Sequence, residues 1–374
     1  MNTYQDFVNA IFGNGCVDIP SNNKENNITG TFNYPSEFET FKSTLLQRYF
    51  RLKELYENTD YFNQLLVKIK EVSSAKNWQG SYAELVAYDI LNLKEIIGPI
   101  ALENSMSATC TYASSFGMSK VDLDGFISNY EMYFDVKILS DAVGELLNNV
   151  INKALKKASI QKETCSILPE YDLVKEVSCY SKHFPSLVDE LYKVLHNKPN
   201  HVQSKIIENL SYRIKWGGGV NSRIGIYDPY RNAEEMNDVL ISRYASKFLL
   251  HKPFFLVMVN FPWYNQLHNN SFDLNPVFYR SLARRTFMSY RYSKKKMQEL
   301  KADFSGDQTV YEVSKKLSGI VFVDDLSIKE EAYNCWIYIN PNADNKSPRI
   351  RSYFGELLRN AKDGIYDDFE YDNY

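Results

Sequence analysis

Residues 120–139 constrain the fold more than any other stretch, because they read as a β-hairpin with charged residues inside both strands. Val121–Ile127 and Met132–Leu139 have the composition of strands and flank a short polar turn at Ser128–Glu131. Side chains alternate between the two faces of a strand. The pattern therefore predicts two antiparallel strands with one apolar face and one face that carries charge.

The position of the turn sets which charged residues meet across the hairpin. If the turn is centred on its middle peptide bond, Asp124 lies opposite Asp135, and Asp122 lies opposite Lys137. Opposed residues on one face have Cβ atoms roughly 4.5–5.5 Å apart. A slip of one residue would bring charge onto the apolar face. This register brings two carboxylates within reach of one hard cation and places an ammonium group beside them.

A helix over Tyr82–Leu93 precedes the hairpin and carries a further acid, Glu84. Ser81 and Glu84 have the spacing of a capping box, in which the Glu84 side chain accepts the backbone N–H of Ser81. Alternatively, Glu84 faces the sheet, where a buried carboxylate needs a partner such as a metal ion. The charged hairpin downstream favours the second interpretation. Tyr88 and Asp89 are interpreted as ordinary surface or boundary residues.

These residues together resemble a known enzyme core. Asp124, then Asp135-x-Lys137 on the next strand, with the helical Glu84 before them, is similar to the metal-binding core of the PD-(D/E)XK nuclease superfamily. The Leu-Asp-Gly-Phe-Ile segment around Asp124 resembles Mrr-type restriction endonuclease domains. Leucine rather than proline precedes Asp124, and Asp135 stands where glutamate is common. The resemblance covers roughly residues 80–140 of the chain.

The resemblance implies an α/β fold, with a restriction-endonuclease-like mixed β-sheet core flanked by helices and a large helical insertion. It implies a Mg²⁺ ion, for which Mn²⁺ substitutes, held by Asp124, Asp135 and the carbonyl oxygen of Val136. Glu84 would bind a second ion or a metal-bound water, and Lys137 would orient or deprotonate the attacking water. The implied reaction is hydrolysis of DNA phosphodiester bonds by a restriction or phage-defence endonuclease.

The sequence pattern divides the chain into four parts. Residues 1–79 form an N-terminal helical region, and 80–139 form the core, whose first strand is placed at Ala108–Ser115. Residues 140–216 have helical periodicity almost throughout and form the insertion. Residues 217–374 hold the remaining core strands, a basic helix and an acidic tail.

The basic helix is predicted over Asn275–Lys301, where positive charges far outnumber the single acid and aromatic residues are interleaved. Contact with DNA phosphates is favoured, although a solvated helix with core aromatics would give the same pattern. The acidic tail begins at Asp363 and is predicted to be disordered and solubilising. The residues expected to bind nucleic acid are Arg280, Arg284, Arg285, Arg291, Lys294, Lys295 and Lys296.

Composition narrows the remaining function classes. The net charge of −3 excludes a globally basic nucleic-acid binder, and the five cysteines are scattered without a Cys-x-x-Cys pair, which favours a reducing cytoplasm. No secretory signal or membrane span is predicted, and no Walker or Gly-x-Ser-x-Gly motif occurs. The alternative function is a catalytically inactive nuclease-fold protein that binds nucleic acid or protein. Control of a nuclease is expected from its helical parts, from a homodimer or larger assembly, or from a regulatory partner protein.

Overall fold

The structure is a computed structural model that describes most of the chain. The described residues are 3–16, 19, 39–74, 78–92, 98–139, 142–161, 164–171, 177–217, 228–261, 274–327, 333–346, 348–357 and 365–366. The acidic tail predicted from Asp363 lies outside them, except for residues 365–366. Within the described part of the chain, every helix is too short or too polar to cross a bilayer.

Among the described residues, four helices precede the first strand. They are α1 (Tyr4–Phe12), α2 (Glu39–Tyr56), α3 (Phe62–Glu71) and α4 (Trp78–Leu91). The predicted helix over Tyr82–Leu93 therefore exists as α4, but it begins four residues earlier. Ser81 lies inside the helix and its hydroxyl donates to Glu71 at 2.7 Å, so the capping interpretation of Glu84 is wrong.

A mixed seven-stranded sheet forms the centre of the protein. Its strands are β1 (Ala101–Ser107), β2 (Lys120–Ile127), β3 (Met132–Ile138), β7 (Phe254–Asn260), β8 (Gly319–Asp325), β9 (Tyr333–Ile339) and β10 (Ile365–Tyr366). They lie in the order β1-β2-β3-β7-β8-β9-β10. Neighbours pair in parallel at β3–β7, β7–β8 and β9–β10 and antiparallel at the other three junctions. The expectation of an α/β protein with a mixed sheet flanked by helices is thus confirmed.

The first strand was predicted at Ala108–Ser115, and this prediction is wrong. That segment forms two short 3₁₀ turns, and the strand β1 lies just before it. Ser107 and Thr111 accept hydrogen bonds from the backbone amides of Thr109 and Ala113. Such local side-chain caps compete with strand pairing, and this explains why a stretch rich in Thr and Ser turns instead.

Two apolar layers cover the central sheet. Phe134, Val136 and Val257 face the layer that includes α2 and α4. Leu256 and Met258 face the opposite layer, which contains α8 (Pro229–Tyr244) and α9 (Asn275–Met288). Both faces of β7 and β8 are therefore dry, as their nearly continuous apolar sequences require for central parallel strands.

Residues 142–216 form a separate module between β3 and α8. It contains α5 (Ala142–Lys157), β4 (Cys165–Glu170), α6 (Val177–Ser181), α7 (Phe184–Leu195), β5 (His201–Gln203) and β6 (Ser211–Trp216). Its strands form an antiparallel sheet in the order β4-β6-β5. The prediction that this region is almost entirely helical is wrong, because β4 and β6 each supply six residues to that sheet.

The predicted basic helix over Asn275–Lys301 is interrupted. Helix α9 ends at Met288, an irregular segment follows, and the short α10 (Met297–Leu300) begins nine residues later. The short α11 (Val310–Ser314) and the later α12 (Pro348–Leu357) complete the described helices of this part.

Candidate active site

The site lies where β2 and β3 separate. The strands pair at Gly125↔Phe134 and onwards towards the turn, in the predicted register. Beyond Gly125 the ladder stops, and the Asp124 carboxylate takes over: its Oδ2 accepts the Val136 N–H at 2.6 Å. The Asp124 side chain thus takes the place of a backbone acceptor for Val136. The gap between β2 and β3 at Asp124 and Val136 is called the fork below. Phe134 packs over Gly125 so closely that a Cβ there would lie 2.1 Å from the ring.

Lys137 extends into this fork and its ammonium is surrounded by oxygen atoms. Nζ lies 2.7 Å from the Val136 carbonyl oxygen and 3.8 Å from Asp124 Oδ2. It also makes a close ion pair with Asp135 Oδ2. Asp124, Asp135 and Lys137 therefore converge from two adjacent antiparallel strands, as the hairpin register predicted. Asp122 does not join them, because it is exposed and lies 4.0 Å from Lys120.

A second lysine reaches the same carboxylate from a distant part of the chain. Helix α8 ends at Tyr244 and runs into a 3₁₀ turn at Ala245–Lys247. Lys247 Nζ lies 2.7 Å from Asp135 Oδ1, and the Tyr244 ring lies 5.8 Å from Lys137 Nζ. Asp135 is completely buried, so both of its oxygens need these cations. The end of α8 is thereby fixed to β3.

Glu84 approaches the fork from α4, on the other face of the sheet. Its Oε2 lies 2.9 Å from Lys68 Nζ, which also lies 3.0 Å from Glu103. The Tyr88 hydroxyl lies 3.0 Å from the Asp124 carbonyl oxygen and 3.3 Å from Glu84 Oε2. The described contacts of Glu84 are thus with Lys68 and Tyr88, and Tyr88 connects it to Asp124.

The pKa values of the site residues are shifted because several acidic side chains lie close together and are largely buried. Burial, followed by the negative charges of Asp135 and Glu84, raises the pKa of Asp124 to about 8, although Lys137 and Lys247 oppose this. Burial also raises the pKa of Glu84 against the effect of Lys68. Burial alone would lower the pKa of Lys137, but Asp135 and Asp124 outweigh it and raise that pKa. The site therefore favours an additional positive charge.

The contacts of the Lys137 ammonium identify the oxygens of the fork that would bind a divalent cation. In the described part of the chain, no group of three His, Cys, Asp or Glu side chains is arranged as a metal site. However, the Lys137 ammonium contacts the same three oxygens that the resemblance names as ligands, namely those of Asp124, Asp135 and Val136. Oxygen donors suit Mg²⁺ and Mn²⁺. The chemistry of these three oxygens suits such an ion at the position that the Lys137 ammonium occupies.

The residues expected to bind nucleic acid are spread over α9 and the segment after it. Several are neutralised: Arg285 lies 3.6 Å from Glu234, Lys295 lies 3.0 Å from Asp238, and Lys296 lies 3.7 Å from Asp307. Arg280 and Arg284 are half-buried on α9, whereas Arg291 and Lys294 are exposed. Beside Arg291, the Tyr292 ring is 89% exposed. A role of these residues in nucleic-acid binding stays a prediction.

Sequence reasoning missed Lys247, Lys68 and Tyr88. Tyr88 and Asp89 are interpreted from the sequence as ordinary surface or boundary residues, but Tyr88 is fully buried against the site. Asp89 binds Arg48 at 3.1 Å in a buried ion pair. The lysines lie far along the chain from their acids, and no local pattern marks them. The only usable signal was Tyr88 itself, one turn after Glu84 on the same helix face.

Comparison of the chain with known protein families, with curated proteins and with solved structures finds no match.

Proposed function

We propose that the chain is a Mg²⁺-dependent nuclease that hydrolyses DNA phosphodiester bonds, as a restriction or phage-defence endonuclease with a restriction-endonuclease-like core. The observation that supports this most is the Lys137 ammonium, which lies among the oxygens of Asp124, Asp135 and Val136. These two carboxylates and one carbonyl, called the cradle below, are the kind of oxygen ligands that a hard cation prefers. A lysine that can leave this cradle remains next to the reaction centre.

In this proposal Asp124, Asp135 and the Val136 carbonyl would hold the ion, and Glu84 would hold a second ion or an ordered water. The bound ion would lower the pKa of its water and neutralise charge on the scissile phosphate. Lys137, once displaced from the cradle, orients the attacking water and stabilises the negative charge that develops on phosphorus. Lys247 keeps a second ammonium beside Asp135, where it offsets the charge of the incoming phosphate.

A catalytically inactive nuclease-fold protein is the second candidate, and one observation favours it. Four acids (Asp124, Asp135, Glu84 and Glu103) face three lysines (Lys137, Lys247 and Lys68), so most of the negative charge of the described site is already paired without a metal. A buried network of this kind can be purely structural. Such a protein would bind nucleic acid or another protein without cleaving it.

Cleavage of supercoiled plasmid in Mg²⁺ or Mn²⁺ separates the two candidates. We expect the wild-type chain to nick the plasmid, and Asp124→Asn and Lys137→Ala to lose about 100-fold or more of that activity. Asp122→Asn is the matched control, because it removes an exposed carboxylate from the same strand two residues away. The control should cleave at the wild-type rate.

Mn²⁺ binding followed by electron paramagnetic resonance gives a readout that does not depend on cleavage. Saturable binding that Asp124→Asn abolishes and Asp122→Asn leaves intact supports the metal site. A wild-type chain that neither binds Mn²⁺ nor cleaves DNA would overturn the proposal in favour of the inactive protein. Equal cleavage by wild type, Asp124→Asn and Lys137→Ala would show that the activity does not arise at this site.

A further inference from the structure

The end of helix α8 borders the fork with three polar side chains. Arg243 and Tyr244 are the last two residues of the helix, and Lys247 ends the 3₁₀ turn that follows. Lys247 binds Asp135 at 2.7 Å, and the centre of the Tyr244 ring lies 5.8 Å from the Lys137 ammonium. One short segment, distant in sequence from β2 and β3, therefore contacts two charged residues of the fork.

This segment has a fixed position in the protein. The Leu250 N–H donates to the Cys110 carbonyl oxygen at 2.9 Å, and Leu249 forms a β-bridge with Thr111. Phe248 and Leu249 are buried in the apolar layer on this side of the central sheet. The side chains at the end of α8 are thus presented to the fork by a backbone that is held from several sides.

The acidic side chains of α8 are all paired, whereas the arginine at its end is not. Each of the three acids lies near the charged nitrogen of a cation: Glu234 lies 3.6 Å from Arg285, Glu235 lies 3.0 Å from Arg231, and Asp238 lies 3.0 Å from Lys295. Arg243 is exposed, and within the described part of the chain its guanidinium forms no ion pair. Its positive charge is therefore available to a ligand.

Arg243 lies beside the part of the fork that is open to solvent. The side chains of Lys137 and Lys247 are 21% and 26% exposed, whereas the Asp135 carboxylate that they share is completely buried. Burial raises the pKa of the Tyr244 hydroxyl, and the charges of Lys137 and then Arg243 oppose this shift. An anion that approaches from solvent thus meets two ammonium groups and a guanidinium, while Asp135 is already paired.

A phosphate group suits this arrangement of cations. The planar guanidinium of arginine donates pairs of hydrogen bonds to phosphate oxygens. In the proposed reaction the scissile phosphate lies at the cradle, so a neighbouring phosphate of the same strand passes the rim of the fork. Arg243 is the exposed cation of α8 at that rim.

Tyr244 has a different use, because its ring faces Lys137. An aromatic ring attracts an ammonium group that lies within about 6 Å of its centre. This attraction does not depend on the oxygens of the cradle. The ring can therefore keep Lys137 close to the reaction centre when a metal ion takes the place of its ammonium.

The dipole of α8 offers a simpler explanation for Arg243. A helix favours a cation in its last turn, because the dipole is negative there. That role predicts a small loss of stability in Arg243→Ala and no change in ligand binding. The two explanations therefore differ in a binding experiment.

We infer that the end of α8 holds the DNA backbone next to the fork: Arg243 binds a phosphate that neighbours the scissile one, and the Tyr244 ring keeps Lys137 beside the cradle when a cation occupies it. The inference rests on the proposed nuclease function and deepens it by naming residues that hold its substrate. Arg243 is a binding residue. Tyr244 is a positioning residue, because it acts through Lys137.

Binding by the full chain in EDTA, where hydrolysis cannot occur, tests Arg243. A fluorescent DNA duplex of about 30 base pairs is titrated by anisotropy at about 50 to 200 mM salt. Arg243→Ala should bind about tenfold more weakly, and the slope of log affinity against log salt should decrease by about 0.9. Arg243→Lys keeps the charge and should retain the slope. The matched control is Arg231→Ala, which removes an exposed arginine from the first turn of the same helix and should bind as wild type does.

Steady-state cleavage in Mg²⁺ tests Tyr244 and separates the two roles. Tyr244→Leu removes the ring and should lower kcat about three- to tenfold with little change in KM. Tyr244→Phe keeps the ring and should cleave at the wild-type rate. Arg243→Ala should instead raise KM and leave kcat nearly unchanged. Tyr244→Met replaces Tyr244→Leu if urea unfolding shows that leucine destabilises the fold.

The results separate a failure of this inference from a failure of the proposed nuclease. Wild-type affinity and salt slope in Arg243→Ala, or an equal loss in Arg231→Ala, would overturn the role of Arg243. A wild-type kcat in Tyr244→Leu would overturn the role of Tyr244. If the wild-type chain binds DNA without cleaving it, the nuclease and the role of Tyr244 are refuted, while the binding data still decide Arg243. If it cleaves DNA and the α8 variants behave as wild type, only this inference is refuted.

Discussion

Asp124 offers a test of the site that needs neither metal nor DNA. Replacement by Asn keeps an oxygen that accepts the Val136 N–H and removes only the charge. The pKa of about 8 for Asp124 in the folded chain lies far above its ordinary value of 3.8. The folded state therefore binds more protons than the unfolded state between these values, and stability should decrease as the pH rises through this window.

The size of the expected change in the free energy of unfolding follows from the two pKa values of Asp124. The full difference corresponds to about 6 kcal/mol at a pH above both of them. Polarisable surroundings reduce such an effect, as does the partial exposure of the side chain, so we expect about 2 kcal/mol. Asp124→Asn should thus unfold at higher urea than wild type at pH 8.5 in EDTA, and at nearly the same urea at pH 5.

A second variant serves as the control for the Asp124 test, and one result would contradict the reasoning. Asp122→Asn removes an exposed carboxylate of the same strand and should show no pH-dependent gain. If Asp124→Asn is instead less stable than wild type at pH 8.5 by more than about 1 kcal/mol, Asp124 is an ionised partner of Lys137. The fork would then be a structural salt-bridge network that gains nothing from a further cation.

Three other changes test separate parts of the structure. Lys137→Ala should bind Mn²⁺ several-fold more tightly than wild type in paramagnetic resonance, because the ammonium no longer competes for the oxygens of Asp135 and Val136. Weaker binding would show that these oxygens do not hold the ion. Gly125→Ala should cost about 1–3 kcal/mol in urea unfolding, since its Cβ would overlap the Phe134 ring, and a neutral effect would show that the ring moves freely. Arg48→Ala should cost about 3–5 kcal/mol, because it leaves the fully buried Asp325 without its guanidinium, yet Mn²⁺ affinity should not change.

The parts of the site that could be predicted are those whose contacts are local in sequence. The turn and the alternation of β2 and β3 set their register, because a one-residue slip would expose the apolar face. Even there the sequence did not reveal that Asp124 replaces a ladder bond and opens the fork. Strand β1 was missed because its residues are mostly polar and only half-buried, which is typical of an edge strand.

The unpredicted parts depend on contacts between distant segments. Lys247 meets Asp135 across 112 residues, and neither its neighbours nor its spacing marks it as part of a site. The module of residues 142–216 was misjudged because α5 and α7 dominate its periodicity, while β5 has only three residues. Short strands in small sheets leave little alternation for a sequence pattern to detect.

The insertion of this module has a consequence for how the protein acquires its fold. The parallel pairing of β3 with β7 joins Asp135 to Leu256, so the central sheet cannot close until a very long stretch of chain has been synthesised. Pairings of such high contact order are slow, and the exposed edge of β3 is prone to aggregation meanwhile. The contacts of the module are local by comparison, and every described residue of its core belongs to the module itself. Its early folding would condense most of the intervening chain into one compact body and so lower the loop-closure entropy that opposes β3–β7 pairing.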